Sequence, residues 1–589
     1  MAVSFVRQVL KRSLAFCLLC LLCFTSVTGC GQVAGEGDRP YLLASAIGDP
    51  RTLNYYLSQE SSSRDVLAYT IEGLTTLDPD TLEWIPSLAE SWEVFDDGLR
   101  IVFTMRPDLR WSDGEPLTAA DVAFTYNDII FNEAIPTSSR DVMRIGESGE
   151  LPEVTMLDDR RVQFVLPEAF APFFQIAGSP VMPEHALREA VLTEAPNGQP
   201  QFLQLWGVDT SVRDVLSSGP YVIAEYVPNQ RVIYEANPYY WKQAEDGSPL
   251  PRIPRIISSI VASQDTQLIQ FRSGDADILD VRGGNFQLLK QEEESGRFTI
   301  YNLGPTLDNS FIAFNQSKGR NPDTDAPIVD PIKSAWFTDV TFRRAVSHAI
   351  DRQTLIDSVL RGLGEPQTSV ISPANPFHLS PAEGLPVYEH SPEKARQLLL
   401  DAGYQYDAAG LLRDRAGNPV RFTLNTNVGN VVREAIGAIV KSNLAEIGIT
   451  VDFIPIEFNT MVRKITSSRD WDAVMLSFGG GGTEPNSGAN IWRSTGALHM
   501  WNPSGVPEAE VTEWEQEIDR IFIQGVRELD FEQRKQLYDR FQVIVQEQLP
   551  LIGTVNPLVL VAMRDRLEGV DPRPILGDLW NLDELAIAE

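Results

Sequence analysis

The stretch PSLAESWEVFDDGLRIVFTMRPDLRWSDGEPLTAADVAFTYNDI, from Pro86 to Ile129, holds a complete run of local structure signals. Asp96-Asp97-Gly98 is a turn, and RIVFTM after it (Arg100 to Met105) sets Ile101, Phe103 and Met105 on one side, so it reads as a strand with one buried face. Asp113-Gly114 in RWSDGEP is a second turn dipeptide. Thr118 and Asp121 make a capping-box-like start for ADVAFTYNDII, in which Val122, Tyr126, Ile129 and Ile130 share one helical face.

The same alternation of strand and helix continues outward. RRVQFVL, Arg160 to Leu166, follows Asp158-Asp159 as a strand follows a turn. In SPEKARQLLLDAGY, Ser391 caps a helix, Pro392 occupies its first turn and Gly403 stops it. VVREAIGAIVKSNLAEIG (Val431 to Gly448) is a further helix, and ITVDFIPI follows with Ile449, Val451 and Phe453 alternating. Strands and helices interleave throughout, so the class is α/β or α+β. At 589 residues the chain is too long for one core and predicts two or three domains. It is 43% hydrophobic and 22% charged, a globular composition. The net charge of −32 argues against nucleic acid or an anionic lipid surface as a partner.

The first residues form a targeting segment. MAVSFVRQVLKR carries Arg7, Lys11 and Arg12 with no acid, and the apolar LAFCLLCLLCFTSV after it suits a signal-peptide core. Val27-Thr28-Gly29-Cys30 resembles a bacterial lipobox, with Cys30 as the lipidated residue. All four cysteines (Cys17, Cys20, Cys23, Cys30) lie in this segment, which excludes disulfides, thiolate metal sites and a Cys nucleophile from the rest of the chain. The small polar run after Cys30 reads as a tether, and the folded part begins near Tyr41.

Five stretches, in order, resemble the large extracytoplasmic solute-binding proteins of ABC importers, family 5, which include oligopeptide, dipeptide and nickel-type receptors. They are the Pro86 to Ile129 segment, GPYVIAEYVPNQRVIYEANPYYW (Gly219 to Trp241), QDTQLIQFRSGDADILD (Gln264 to Asp280), FTDVTFRRAVSHAIDRQTLI (Phe337 to Ile356) and the SPEKARQLLLDAGY helix. The resemblance implies an α/β, two-lobed periplasmic-binding-protein-like fold of the cluster C type with an extra third domain. It implies a signal peptide over 1–29 and a tether over 30–40. It puts lobe I at 41–80, 205–305 and 545–589, the extra domain at 81–204 and lobe II at 306–544. The chain is expected to return from the extra domain near Trp206 and to cross to lobe II near Thr306. Ligand binds between the lobes, and closure buries it. Within these motifs Trp92, Trp111 and Tyr126 read as packing, and Arg343, Arg344 and Asp351 as surface pairs.

The five histidines (His185, His348, His378, His390, His499) show no helix-borne ligand spacing, and no GxSxG elbow occurs. No catalytic residue, metal ligand or cofactor is therefore assigned. The informative departure is FGGGGTEPNSG, Phe478 to Gly488. It lacks GK[ST], so it is not a phosphate loop. Peptide-binding members of the family carry an aromatic here, then small residues, then an Asp that pairs with the ligand's α-amino group. Phe478 matches the aromatic, but Gly481 stands where the Asp would fall, and Glu484 substitutes only if the loop bends differently. Bare glycines leave room and backbone polar groups for a ligand. The candidate ligand residues are thus Phe478, Gly479, Gly480, Gly481, Gly482 and Glu484, with Trp492 and Trp501 as stacking walls. The expected protein is a monomeric, lipid-anchored binding protein that delivers a peptide or other small solute to ABC permease and ATPase subunits. A secreted hydrolase and a ligand-binding sensor remain as alternatives.

Overall fold

The computed structural model describes residues 39–588, apart from 59–60, 138, 147–148, 322–323, 480–481, 497, 504 and 506–509. The signal segment, Cys30, Gly480 and Gly481 lie outside the described residues.

The first lobe is built on two sheets. One has Leu42–Ile47, Arg255–Val261, Arg231–Ala236 and Tyr221–Val227 side by side, the first pair parallel and the others antiparallel. The other sets Val555–Arg564 between Ile278–Asp280 and Phe298–Pro305. A buried carboxylate joins distant parts of this lobe. Asp277 accepts from Leu43 N at 2.7 Å and takes a two-pronged bond from Arg566 at 2.8 and 2.6 Å, and Arg566 also donates to the carbonyls of Arg39 and Tyr41.

The Pro86 to Ile129 segment supplies two strands of a separate antiparallel sheet, in the order Ala89–Phe95, Arg100–Met105, Arg161–Val165, Glu153–Asp158. Ile101, Phe103 and Met105 are buried as the alternation requires. The helix Ala119–Phe124 starts with both halves of the capping box formed by Thr118 and Asp121. It then widens into a π turn over Thr125–Ile130, and Val122, Tyr126, Ile129 and Ile130 all face the core. This domain has no independent core: its apolar residues form one cluster with those of the first lobe, including Leu42, Tyr221 and Ile256. Gly73 and Gly178 allow the close approach, since a Cβ on Gly73 would stand 2.3 Å from the Gly178 carbonyl oxygen. The Trp206 carbonyl accepts from Leu53 N at 2.7 Å.

The second lobe holds a five-stranded mixed sheet, Thr450–Ile456, Arg421–Asn427, Ala473–Phe478, Asn309–Phe314 and Leu551–Gly553. The first three strands are mutually parallel, and the last two alternate in direction. The capped helix Pro392–Asp401 ends at Gly403 with φ +88°, and Val431–Glu446 links two parallel strands as the sequence predicts.

Two segments join the lobes. Phe298–Pro305 in the first lobe leads into Asn309–Phe314 in the second, and Leu551–Gly553 leads back into Val555–Arg564. Thr554 lies between Leu551–Gly553 and Val555–Arg564, and residue 545 lies inside the helix Phe531–Gln548. The helix and a short edge strand must finish before the chain can leave.

Arg343 and Arg344 are not surface pairs. Arg343 is 2% exposed and gives Nε and Nη2 to the Gln548 carbonyl at 2.9 and 2.8 Å and Nη1 to the Phe337 carbonyl at 2.5 Å. Arg344 donates twice to the Glu547 carbonyl, and Arg352 donates twice to the Gly553 carbonyl. Burial pushes Arg343 and Arg352 down to about 10, still charged at neutral pH. The carbonyls at a helix C-terminus lack intrahelical donors and carry partial negative charge, which is what Arg343 and Arg344 answer, while the Gly553 carbonyl taken by Arg352 ends the strand Leu551–Gly553. Asp351 caps the next helix, accepting from Thr354 N at 3.0 Å, and lies 4.0 Å from His390. Arg343→Met should leave the Phe337 and Gln548 carbonyls without that partner and cost about 3 kcal/mol, read as a lower midpoint in urea unfolding. An unchanged midpoint would mean that the buried guanidinium contributes nothing net.

Candidate ligand-binding cleft

The parallel strands of the second lobe end at Asn427, Ile456 and Phe478 on one edge of the sheet. Asn309 pairs with Phe478, and Gly553 lies opposite Phe311, so both connections to the first lobe leave from this same edge. In open α/β sheets ligands bind beyond the carboxyl ends of parallel strands, where helix N-termini and loops converge. Here that edge also faces the other lobe.

Phe478 is half-buried, its ring 4.9 Å from that of Phe311. Gly479 after it is exposed, and a Cβ there would meet nothing within 4 Å. Arg433, in the first turn of Val431–Glu446, donates to Asn427 Oδ1 at 2.6 Å. Burial pushes its guanidinium below the usual range, and the charge of Asp308 opposes this. Sequence reading missed Arg433, Asn427 and Asp308. The first two were legible as the end of a strand and the start of the next helix, but their meeting with the 305–309 connection is tertiary.

Gly482, Thr483 and Glu484 lie on the side of the added domain. Gly482, at φ +52°, lies beside the Gln175 side chain of that domain. Asn375 Nδ2 donates to the carbonyls of Gly482 and Thr483 at 3.0 and 3.3 Å, which fixes the loop. Glu484 is buried and accepts from Arg534 Nη2 at 3.0 Å. Burial pushes the Glu484 carboxyl upward, and Arg534 pulls it back. Glu484 is thus a neutralised member of an ion pair, not a free anionic anchor for an ammonium group.

Trp492 and Trp501 are interior residues. Trp501 is fully enclosed, with Nε1 donating to Glu515 at 3.1 Å, and the two rings pack 5.7 Å apart against Phe541 and His499. Neither presents a face to the cleft, because each ring fills the hydrophobic core of the second lobe. The histidines are also engaged: His185 with Asp113 at 2.8 Å, His348 with the Glu389 carbonyl, His378 with the Ile371 carbonyl and His499 with Glu515. Among the described residues no group of three His, Cys, Asp or Glu is arranged for a metal ion. No helix among them is long and apolar enough to cross a membrane.

Added domain and second lobe meet directly. Ala171 N donates to the Val526 carbonyl at 2.7 Å, and Arg527 pairs with Glu168 at 2.6 Å. A partly open cavity of about 630 Å³ lies between this domain and the second lobe.

Known proteins share this architecture. A probable ABC transporter-binding protein of Deinococcus radiodurans is 27% identical over 90% of this chain and 89% of its own. Among solved structures, the oligopeptide-binding protein AppA of Bacillus subtilis, in complex with a nonapeptide, superposes with a TM-score of 0.70 at 24% identity, over 93% of this chain and 99% of that one. The periplasmic binding protein MelB of Agrobacterium fabrum, in complex with stachyose, gives 0.71 at 20% identity, over 93% and 84%. The fold is the two-lobed α/β binding-protein fold with an added domain. The model of bacterial extracellular solute-binding proteins, family 5, matches residues 83–499, and the chain belongs to that family.

Proposed function

We propose that this protein is the ligand-capturing lipoprotein of an ABC importer, anchored through Cys30 on the extracytoplasmic side of a bacterial membrane. It binds a peptide or other small solute between its lobes and delivers it to permease and ATPase subunits, without bond chemistry and as a monomer. One observation carries this reading. The strand ends at Asn427, Ile456 and Phe478 and both interlobe connections lie on a single edge, so hinge motion there opens and closes the place where a ligand docks. Residues 41–80 and 205–305 and the chain after Thr554 form one body with the 81–204 domain, and 306–554 forms the other. Phe478 and Gly479 form the ligand wall of the second lobe, with Arg433 on the same sheet edge. Family membership supports a binding role over the hydrolase and sensor alternatives, because the relatives are named as transporter-binding proteins.

The cargo is open, and the glycine at position 481 argues against a free peptide amine as its main anchor. Denaturing the purified protein and identifying any released small molecule by mass spectrometry tests this. A released peptide with a free N-terminus would overturn the argument from Gly481. Rebinding that molecule at 100 times its dissociation constant should stabilise the fold by about 2.7 kcal/mol and shrink the particle in X-ray scattering. Equal compactness with and without it would refute hinge closure.

The wall residues are tested separately. Gly479→Phe places a ring over open space without backbone strain, so the melting temperature should stay within about 2 °C. Affinity for the released molecule should fall at least about tenfold, measured by titration calorimetry. Undiminished affinity would remove this edge from the binding site.

A further inference from the structure

The cavity between the added domain and the second lobe has a composition of its own. Its walls include Trp84, Trp92 and Phe174 from the domain and Phe377 and Phe531 from the second lobe. Its volume, about 630 Å³, falls within the range of small-molecule pockets. Glu484 and Arg534 line it as well, and they are the charged pair described above. Glu484 is 6% exposed and uses Oε1 on Arg534, whose guanidinium lies 5.0 Å from the centre of the Phe377 ring. Oε2 of Glu484 has no hydrogen-bond partner among the described residues.

A buried carboxylate oxygen without a partner is unfavourable, so most such atoms are satisfied. Arg534 already balances the charge, and a second full cation here would leave an excess of positive charge beside a buried ion pair. The missing partner is therefore a neutral N–H or O–H. The surrounding rings select a flat, apolar carrier for it, since aromatic groups gain from offset and edge-to-face contact.

We infer that this cavity is a second binding pocket, separate from the Phe478 edge, for an aromatic group that carries one N–H or O–H donor and places it on the Glu484 carboxylate. The glycine loop connects the two places: Gly479 stands at the cleft edge, and Thr483 and Glu484 stand in the cavity wall. This pocket does not depend on the importer reading.

The test uses the full chain and two probes, indole and 1-methylindole, which share a ring system and differ in the N–H. Ligand-observed NMR should show indole binding in the millimolar range and 1-methylindole at least about fivefold more weakly. Val94→Trp, at an exposed strand position on the cavity wall, should abolish indole binding. Equal binding of the two probes, no indole binding, or indole binding unchanged by Val94→Trp would each overturn the proposal. None of these results bears on whether a ligand co-purifies, and the absence of a co-purified ligand leaves the probe comparison intact.

Discussion

The end of the helix Phe531–Gln548 is the point on which the two-lobe arrangement depends. There the chain must stop a long helix, add the strand Leu551–Gly553 to the second lobe and cross to the first within a few residues. Three arginines from one neighbouring segment hold it: Arg343 on the Gln548 carbonyl, Arg344 on the Glu547 carbonyl and Arg352 on the Gly553 carbonyl. Helix-end carbonyls have no backbone donors of their own, and burying them unpaired would be costly. Fixed guanidinium forks meet that need in a way a lysine ammonium would not, because each presents several donors in one plane.

With that crossing fixed, the other follows the same edge. Thr306 N bonds to the Pro557 carbonyl and Thr554 N to the Ser310 carbonyl, so the two connections run side by side. Gly364–Pro366 pairs with the start of Val555–Arg564 and widens this bridge. Side-by-side strands resist sliding yet can bend together, which suits a hinge. The domain over 81–204 shares its core with the first lobe, so it travels with that lobe. Its contacts with the second lobe are sparser: Val526 reaches into the shared cluster, Ala171 makes a backbone bond and Glu168 an ion pair, and a cavity rimmed by rings lies beside them. Interfaces of that sort separate far more easily than a common core.

Electrostatics follow the same division. The chain carries a large negative excess, which says nothing about cargo. The informative charges are the enclosed ones. Asp277 with Arg566 locks the ends of the first lobe together, and Glu484 with Arg534 lies where the two bodies meet. Breaking either pair by removing one member would strand the other, so both are structural commitments even where one also lines a cavity.

Local structure was legible in the sequence because it is encoded by near neighbours. The strand at Arg100–Met105, the box at Thr118 and Asp121, and the stop at Gly403 all follow from patterns a few residues long. The resemblance across five ordered stretches supplied the fold class. What failed was any statement needing distant segments. Trp492 and Trp501 have the chemistry of a ligand wall, yet Glu515 and Phe541 enclose them. Arg343 looks like a surface cation, yet its partner carbonyl lies 205 residues away. Phe478 could be placed at a strand end from sequence, but only the register of Asn309 against it shows that this end faces the hinge. The sequence by itself determined the elements, the class and the missing acid at Gly481. The tertiary structure decided which residues meet, because burial and partner choice depend on contacts that no local pattern contains.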